Sequence, residues 1–119
     1  MREQRRFERV PFIRDGRLAA VPDGASLEVS TIDLSQGGVG LFCSRFMERG
    51  VPVQVSLQLG DDQGHTLIET VMATVAYGRV EMEGNYLGIE FAYPISQASH
   101  PALWDALKTA LKRTTRIDS

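Results

Sequence analysis

Apolar and polar residues alternate most strictly from Val51 to Leu59, where Val51, Val53, Val55, Leu57 and Leu59 are separated by Pro52, Gln54, Ser56 and Gln58. A period of two belongs to a strand with one buried face. The run Thr66 to Tyr77 is long and rich in β-branched residues, and Tyr86 to Tyr93 is aromatic and aliphatic. Both are expected as strands, with Gly84-Asn85 as the hairpin turn between them. Leu27, Val29 and Thr31 alternate in one phase, Ile32 and Leu34 in the other, so a bulge or strand end is expected near Thr31. Upstream, Asp15-Gly16 and Val21-Pro22-Asp23-Gly24 compete as turns. The second is favoured as a hairpin, because proline presets the turn and Gly24 can take a positive φ. Helical spacing occurs once: Leu103, Leu107, Ala110 and Leu111 fall at i, i+4, i+7 and i+8, with Ser99 as N-cap, Pro101 in the first turn and basic residues in the last. About five or six short strands followed by one helix imply a mainly-β chain, a small antiparallel barrel with the helix packed on it or across one mouth.

The 119 residues suffice for one domain and one core. The pattern divides the chain into an arginine-rich lead at 1–10, expected to be flexible, a β-barrel at 11–95 and a C-terminal helix at 99–114. With 43% hydrophobic and 24% charged residues, the composition is that of an ordinary globular protein. Cys43 is the only cysteine, which excludes an intrachain disulfide and a cysteine-rich zinc site and fits a reducing compartment. It alternates with Val39 and Leu41 and reads as a small buried hydrophobe. The charged N-terminus leads into no apolar segment, and no stretch approaches the roughly 18 apolar residues of a membrane span, so a cytoplasmic protein without membrane contact is expected.

Charge sharpens the picture through its distribution. The net charge is −2, but residues 1–17 hold Arg2, Arg5, Arg6, Arg9, Arg14 and Arg17 against Glu3, Glu8 and Asp15. The stretch 18–107 is acidic, and the last twelve residues are basic again through Lys108, Lys112, Arg113 and Arg116 against Asp118. A basic head on an acidic body argues against a surface built for long nucleic acid and suits a small anion held at one place.

Catalytic templates find no support in this sequence. His65 lies in a polar loop and His100 at the helix start, neither beside a nucleophile or second ligand, and Asp61-Asp62 with His65 reads as a solvated turn rather than a metal site. No enzyme, metal or cofactor is expected. Two constellations remain. In Arg5-Arg6-Phe7-Glu8-Arg9 the arginine forks can each make two parallel hydrogen bonds to phosphate or to the O6/N7 edge of guanine. In Asp33-Leu34-Ser35-Gln36-Gly37-Gly38 a carboxylate at a turn can accept both N1–H and N2–H of guanine, the serine hydroxyl adds a contact, and glycines let a flat base approach the backbone. Each also has a plain reading, as a frayed terminus and as a strand-to-strand turn.

Together, Arg5-x-x-x-Arg9, then Asp33-x-Ser35-x-x-Gly38, then Gly88-Ile89-Glu90-Phe91 resemble the PilZ domain, the bacterial receptor module for the second messenger cyclic di-GMP, over about residues 3–112. The resemblance implies a six-stranded antiparallel β-barrel with a C-terminal α-helix. It implies that Arg5 and Arg9 hold phosphate and guanine, that Arg6 adds a phosphate contact, and that Asp33, Ser35, Gly37 and Gly38 seat a guanine edge. Tyr77 resembles a position that some members place beside a base; its competing reading is a strand tyrosine packed on the barrel. Arg79 is a weaker candidate of the same kind. The residue before the first motif arginine influences whether one or two ligands bind, and here it is Gln4. With no output domain in view, the implied function is that of a stand-alone adaptor, a monomer or weak homodimer, whose contact with an effector protein changes with cyclic di-GMP to regulate motility, chemotaxis, biofilm or virulence. The rival expectations are a PilZ-like module that binds only proteins and a small nucleic-acid-binding barrel, which would need basic residues interleaved with surface aromatics on its strands.

Overall fold

The computed structural model describes residues 7–60 and 63–117, with side chains through residue 113. Within that span the chain forms β1 (Val10–Pro11), β2 (Asp15–Ala20), β3 (Leu27–Ser35), β4 (Gly38–Cys43), β5 (Pro52–Gly60), β6 (Thr66–Glu81), β7 (Gly84–Phe91) and α1 (Pro101–Ile117). All pairings are antiparallel. The order β3-β2-β5-β6-β7-β4 closes on itself through a β3–β4 pairing, giving the expected six-stranded barrel with a C-terminal helix. Closure leaves these six strands without a free edge. The short β1 joins the far half of β3, placing Val10 opposite Leu34 and Pro11 opposite Asp33.

The alternation in β5 works as read: Val53, Val55, Leu57 and Leu59 enter the core, and Gln54 and Gln58 face out. The phase slip in β3 is a register shift between Thr31 and Asp33. Thr31, just before the shift, stays in phase with Val29 and faces inward, where its hydroxyl donates to the Phe12 carbonyl (2.7 Å) and accepts the Arg14 N–H (2.8 Å), tying the entering chain to the barrel. Cys43 is buried.

Local details differ from expectation where longer-range contacts decide. The β2–β3 connection does fall at Val21 to Gly24, and Gly16 lies inside β2, but Gly24 is not in the positive-φ region. The Val21–Pro22 peptide bond is cis, and the Gly24 N–H donates to the Ala20 carbonyl (2.7 Å). In the β6–β7 hairpin the strand pairing continues to Glu81 opposite Gly84, so the apex is Met82-Glu83 and Gly84, with φ of 139°, opens β7.

The helix begins at Pro101 rather than Ser99 and runs to Ile117. Ser99 does not cap it: its hydroxyl accepts the Ser96 N–H (3.0 Å), and the His100 carbonyl accepts the first helical bond, from Trp104 (2.8 Å). The cap is Glu69 of β6, whose carboxylate accepts the N–H groups of Ala102 (2.9 Å) and Leu103 (2.8 Å). Two orphan donors and the positive end of the helix dipole are thus met by one acid. Leu103 and Leu107 are fully buried, each burial stabilising by about 1.5–3 kcal/mol, and α1 rests on β1, β5 and β6. No helix among the described residues is long and apolar enough to cross a membrane.

Candidate functional site

Three cross-strand rows on the outer face of β3, β4, β7 and β6 build the site. Because directly paired residues point to the same face, Asp33, Gly40, Gly88 and Tyr77 form one row. Ser35, Gly38, Glu90 and Thr74 form the row on one side of it, and Ser30, Phe42, Tyr86 and Arg79 the row on the other. The glycines leave a floor with no side chains, and neighbours lie directly on it. A Cβ at Gly88 would meet the Tyr77 ring (2.8 Å), one at Gly40 would meet the Tyr86 hydroxyl and Asp33 Oδ1, and one at Gly38 would meet the Ile89 carbonyl. Tyr86 lies edge-on to Phe42 and tilted against Tyr77, each at 5.8 Å between ring centroids, with the Arg79 guanidinium 4.6 Å above it. It is only 7% exposed. Burial first, then its hydrogen bond with Tyr77 and the nearby charge of Asp33, push the Tyr86 phenol up to about 12.

The second part of the site comes from the chain ahead of β1. The β1 register brings Arg9 alongside Asp33, where Arg9 Nη1 donates to Asp33 Oδ1 at 2.9 Å, the two side chains 23% and 24% exposed. Phe7 lies over Gly37, whose missing Cβ would sit 2.8 Å from the ring. Ser35 is buried and holds the turn: its hydroxyl accepts the Gly37 N–H (3.2 Å) and donates to the Gly38 carbonyl (3.4 Å). The turn is fastened to the strand beyond it, because the Gly37 carbonyl accepts the Phe91 N–H, and Gln36 exchanges hydrogen bonds with Ile95 through its side chain and its carbonyl. Next to this turn opens a cavity of about 830 Å³ lined by Arg9, Ser35, Gly37, Gly38 and Tyr77.

Arg9, Ser35, Gly37, Gly38 and Tyr77 therefore converge on the cavity, and Asp33 joins them through its hydrogen bond with Arg9 without lining it. Tyr77 packs on the barrel through Gly88 and also lines the cavity. Arg79 is one row away, stacked on Tyr86 and paired with Glu81 (2.6 Å), and does not line the cavity. Arg5 and Arg6, with Gln4, lie outside the described residues. The cavity is also lined by residues not singled out in the sequence, among them Phe7, Arg49 and Glu90. Glu90 is exposed on β7 between the buried Ile89 and Phe91, and Arg49 sits in the irregular β4–β5 loop. Among the described residues no group of three or more His, Cys, Asp and Glu side chains gathers as for a metal.

An arginine and a carboxylate meeting beside a glycine floor suit recognition of a planar, anionic ligand. A profile of the PilZ domain matches residues 3–108. The chain belongs to the PilZ domain family. This PilZ domain is similar in fold to the Bacillus subtilis inhibitor of motility MotI/DgrA (TM-score 0.74, 13% identity, 97% of this chain and 53% of that one). It is similar to the PilZ domain of Escherichia coli YcgR with cyclic di-GMP (TM-score 0.67, 15% identity, 98% of both chains) and to YcgR in complex with cyclic di-GMP (TM-score 0.63, 18% identity, 98% of this chain and 49% of that one). The chain spans about half the length of MotI and of the longer YcgR chain. No curated protein matches it.

Proposed function

We propose that this PilZ domain is a cytoplasmic receptor for cyclic di-GMP that works without catalysis. The observation that carries the reading is the meeting of Arg9 and Asp33, 24 residues apart in sequence, at the edge of a cavity floored by Gly37 and Gly38. Asp33 offers the acceptor for a guanine N1–H and N2–H, Arg9 the fork for phosphate or the O6/N7 edge, and Ser35 keeps the turn in shape. Arg5, like Arg9, holds phosphate and guanine, and Arg6 adds a phosphate contact. Tyr77 borders a base across the floor, and Arg79 contributes through the Tyr86 ring that it covers. The ligand takes over the hydrogen bond that Arg9 now donates to Asp33, so binding is felt directly in the segment leading into β1. A change there reaches the outer surface, where an effector protein reads it; the domain is thus an adaptor, a monomer or weak homodimer, in motility, chemotaxis, biofilm or virulence control.

Calorimetric titration of the protein with cyclic di-GMP tests the first step. Saturable binding is expected, and Arg5→Ala or Arg9→Ala should weaken it by tenfold or more, as for loss of a charge-assisted hydrogen bond of about 1.5–3 kcal/mol. Absence of heat at micromolar ligand, or equal affinity in both variants, refutes the receptor reading.

A further inference from the structure

Arg49 and Glu90 line the same cavity as Arg9, and neither side chain makes a hydrogen bond or ion pair with a described residue. Different elements hold them there. Glu90 stands on β7 between Gly38 and Thr74 in its cross-strand row. Arg49 precedes Gly50, whose positive φ of 94° turns the chain. The Gly50 N–H donates to the Val75 carbonyl (2.8 Å), and the Val75 N–H donates to the Val51 carbonyl (2.9 Å), which pins the β4–β5 loop to β6. Ala76, the residue that the register shift in β6 leaves unpaired, follows at once, lines the cavity and fills little of it with its methyl group.

An arginine fork matches O6 and N7 of guanine, and a carboxylate accepts from N1–H and N2–H on the opposite edge. Arg9 and Asp33 are one such set, closed on itself. Arg49 and Glu90 are a second set whose side chains have no partner among the described residues, and cyclic di-GMP carries two guanines. We propose that Arg49 and Glu90 read the second guanine of cyclic di-GMP, an assignment that rests on the receptor reading above. Adenine fails at both contacts: it presents an amino donor where guanine has O6, and it lacks the N1–H and the 2-amino group.

The test is calorimetric titration of wild type, Arg49→Ala, Arg49→Lys and Glu90→Gln with cyclic di-GMP and with the hybrid cyclic GMP-AMP, which keeps one guanine for Asp33. Wild type should prefer cyclic di-GMP, and each variant should narrow that preference by about five- to 150-fold, by weakening cyclic di-GMP and hardly changing the hybrid. Arg49→Lys should behave like Arg49→Ala, because lysine keeps the charge and lacks the fork. Both side chains are exposed, so the variants should melt like wild type, which thermal unfolding checks. An unchanged preference, or equal weakening of both ligands, overturns the second-guanine assignment while cyclic di-GMP binding lost in Arg9→Ala leaves the receptor reading standing. A wild-type protein that binds neither ligand overturns both.

Discussion

Asp33 accepts from Arg9 in a pair whose side chains are each about a quarter exposed, next to Gly40 and the Tyr86 hydroxyl. Ion pairs this open to water contribute about 0–1 kcal/mol, so Asp33→Ala should lower stability by no more than about 1 kcal/mol. The same change should cost tenfold or more in cyclic di-GMP affinity. Urea unfolding beside calorimetric titration separates the two effects, and a variant that unfolds at once would show that Asp33 only holds the turn. Tyr86 makes a different prediction. Its phenol titrates near 12 in the folded protein against about 10 in the unfolded chain, so the folded state holds its proton more tightly. That preference is fully present below pH 10 and disappears as pH rises from 10 to about 12, at most on the order of 3 kcal/mol. Tyr86→Phe should remove that part of the alkaline loss, which urea unfolding at stepped pH between 9 and 12 would measure.

Among the elements, α1 depends on a residue of another element for its start. Glu69 accepts the Ala102 and Leu103 N–H groups, and the adjacent Thr70 carbonyl lies 2.9 Å from His100 Nε2, which must therefore carry a proton to donate. Glu69→Ala leaves both helix donors unmet and should destabilise by about 1–2 kcal/mol. Glu69→Gln keeps one carbonyl acceptor and loses the charge, so it should fall between. Amide exchange at Ala102 and Leu103 should quicken in the same order. This cap shows why some features escape the sequence: Glu69 and Ala102 are 33 residues apart, whereas Ser99 offered a local cap that the structure spends on Ser96. What was legible rested on local period and turn chemistry, as in the alternation of Val51 to Leu59 and the phase slip at Thr31. The site was half legible for the same reason. Arg9 and Asp33 stand out as residue types, but the row Asp33, Gly40, Gly88, Tyr77 exists only once three strand pairings set its register. Arg49 had no pattern around it at all.

On the scale of the whole molecule, the core of the barrel is mostly aliphatic, and the side chains of Arg9, Arg49, Tyr77 and Glu90 lie outside it. Stability and binding should therefore be separable. A ligand that binds only the folded state stabilises it by about 2.7 kcal/mol when free ligand stands at 100 times Kd. For a domain of 119 residues this corresponds to a rise in Tm of roughly 10 °C. Arg9→Ala should start near the wild-type Tm and gain little from the ligand concentration that saturates wild type. Glu69→Ala should start several degrees lower and gain nearly the full increment, because its cap lies apart from the cavity and effects of distant sites add. Thermal unfolding of the three proteins with and without cyclic di-GMP measures both quantities. If Glu69→Ala lost the ligand increment along with its starting Tm, the helix start and the binding face would be coupled, and the barrel would be a two-state element that the ligand biases instead of a fixed scaffold.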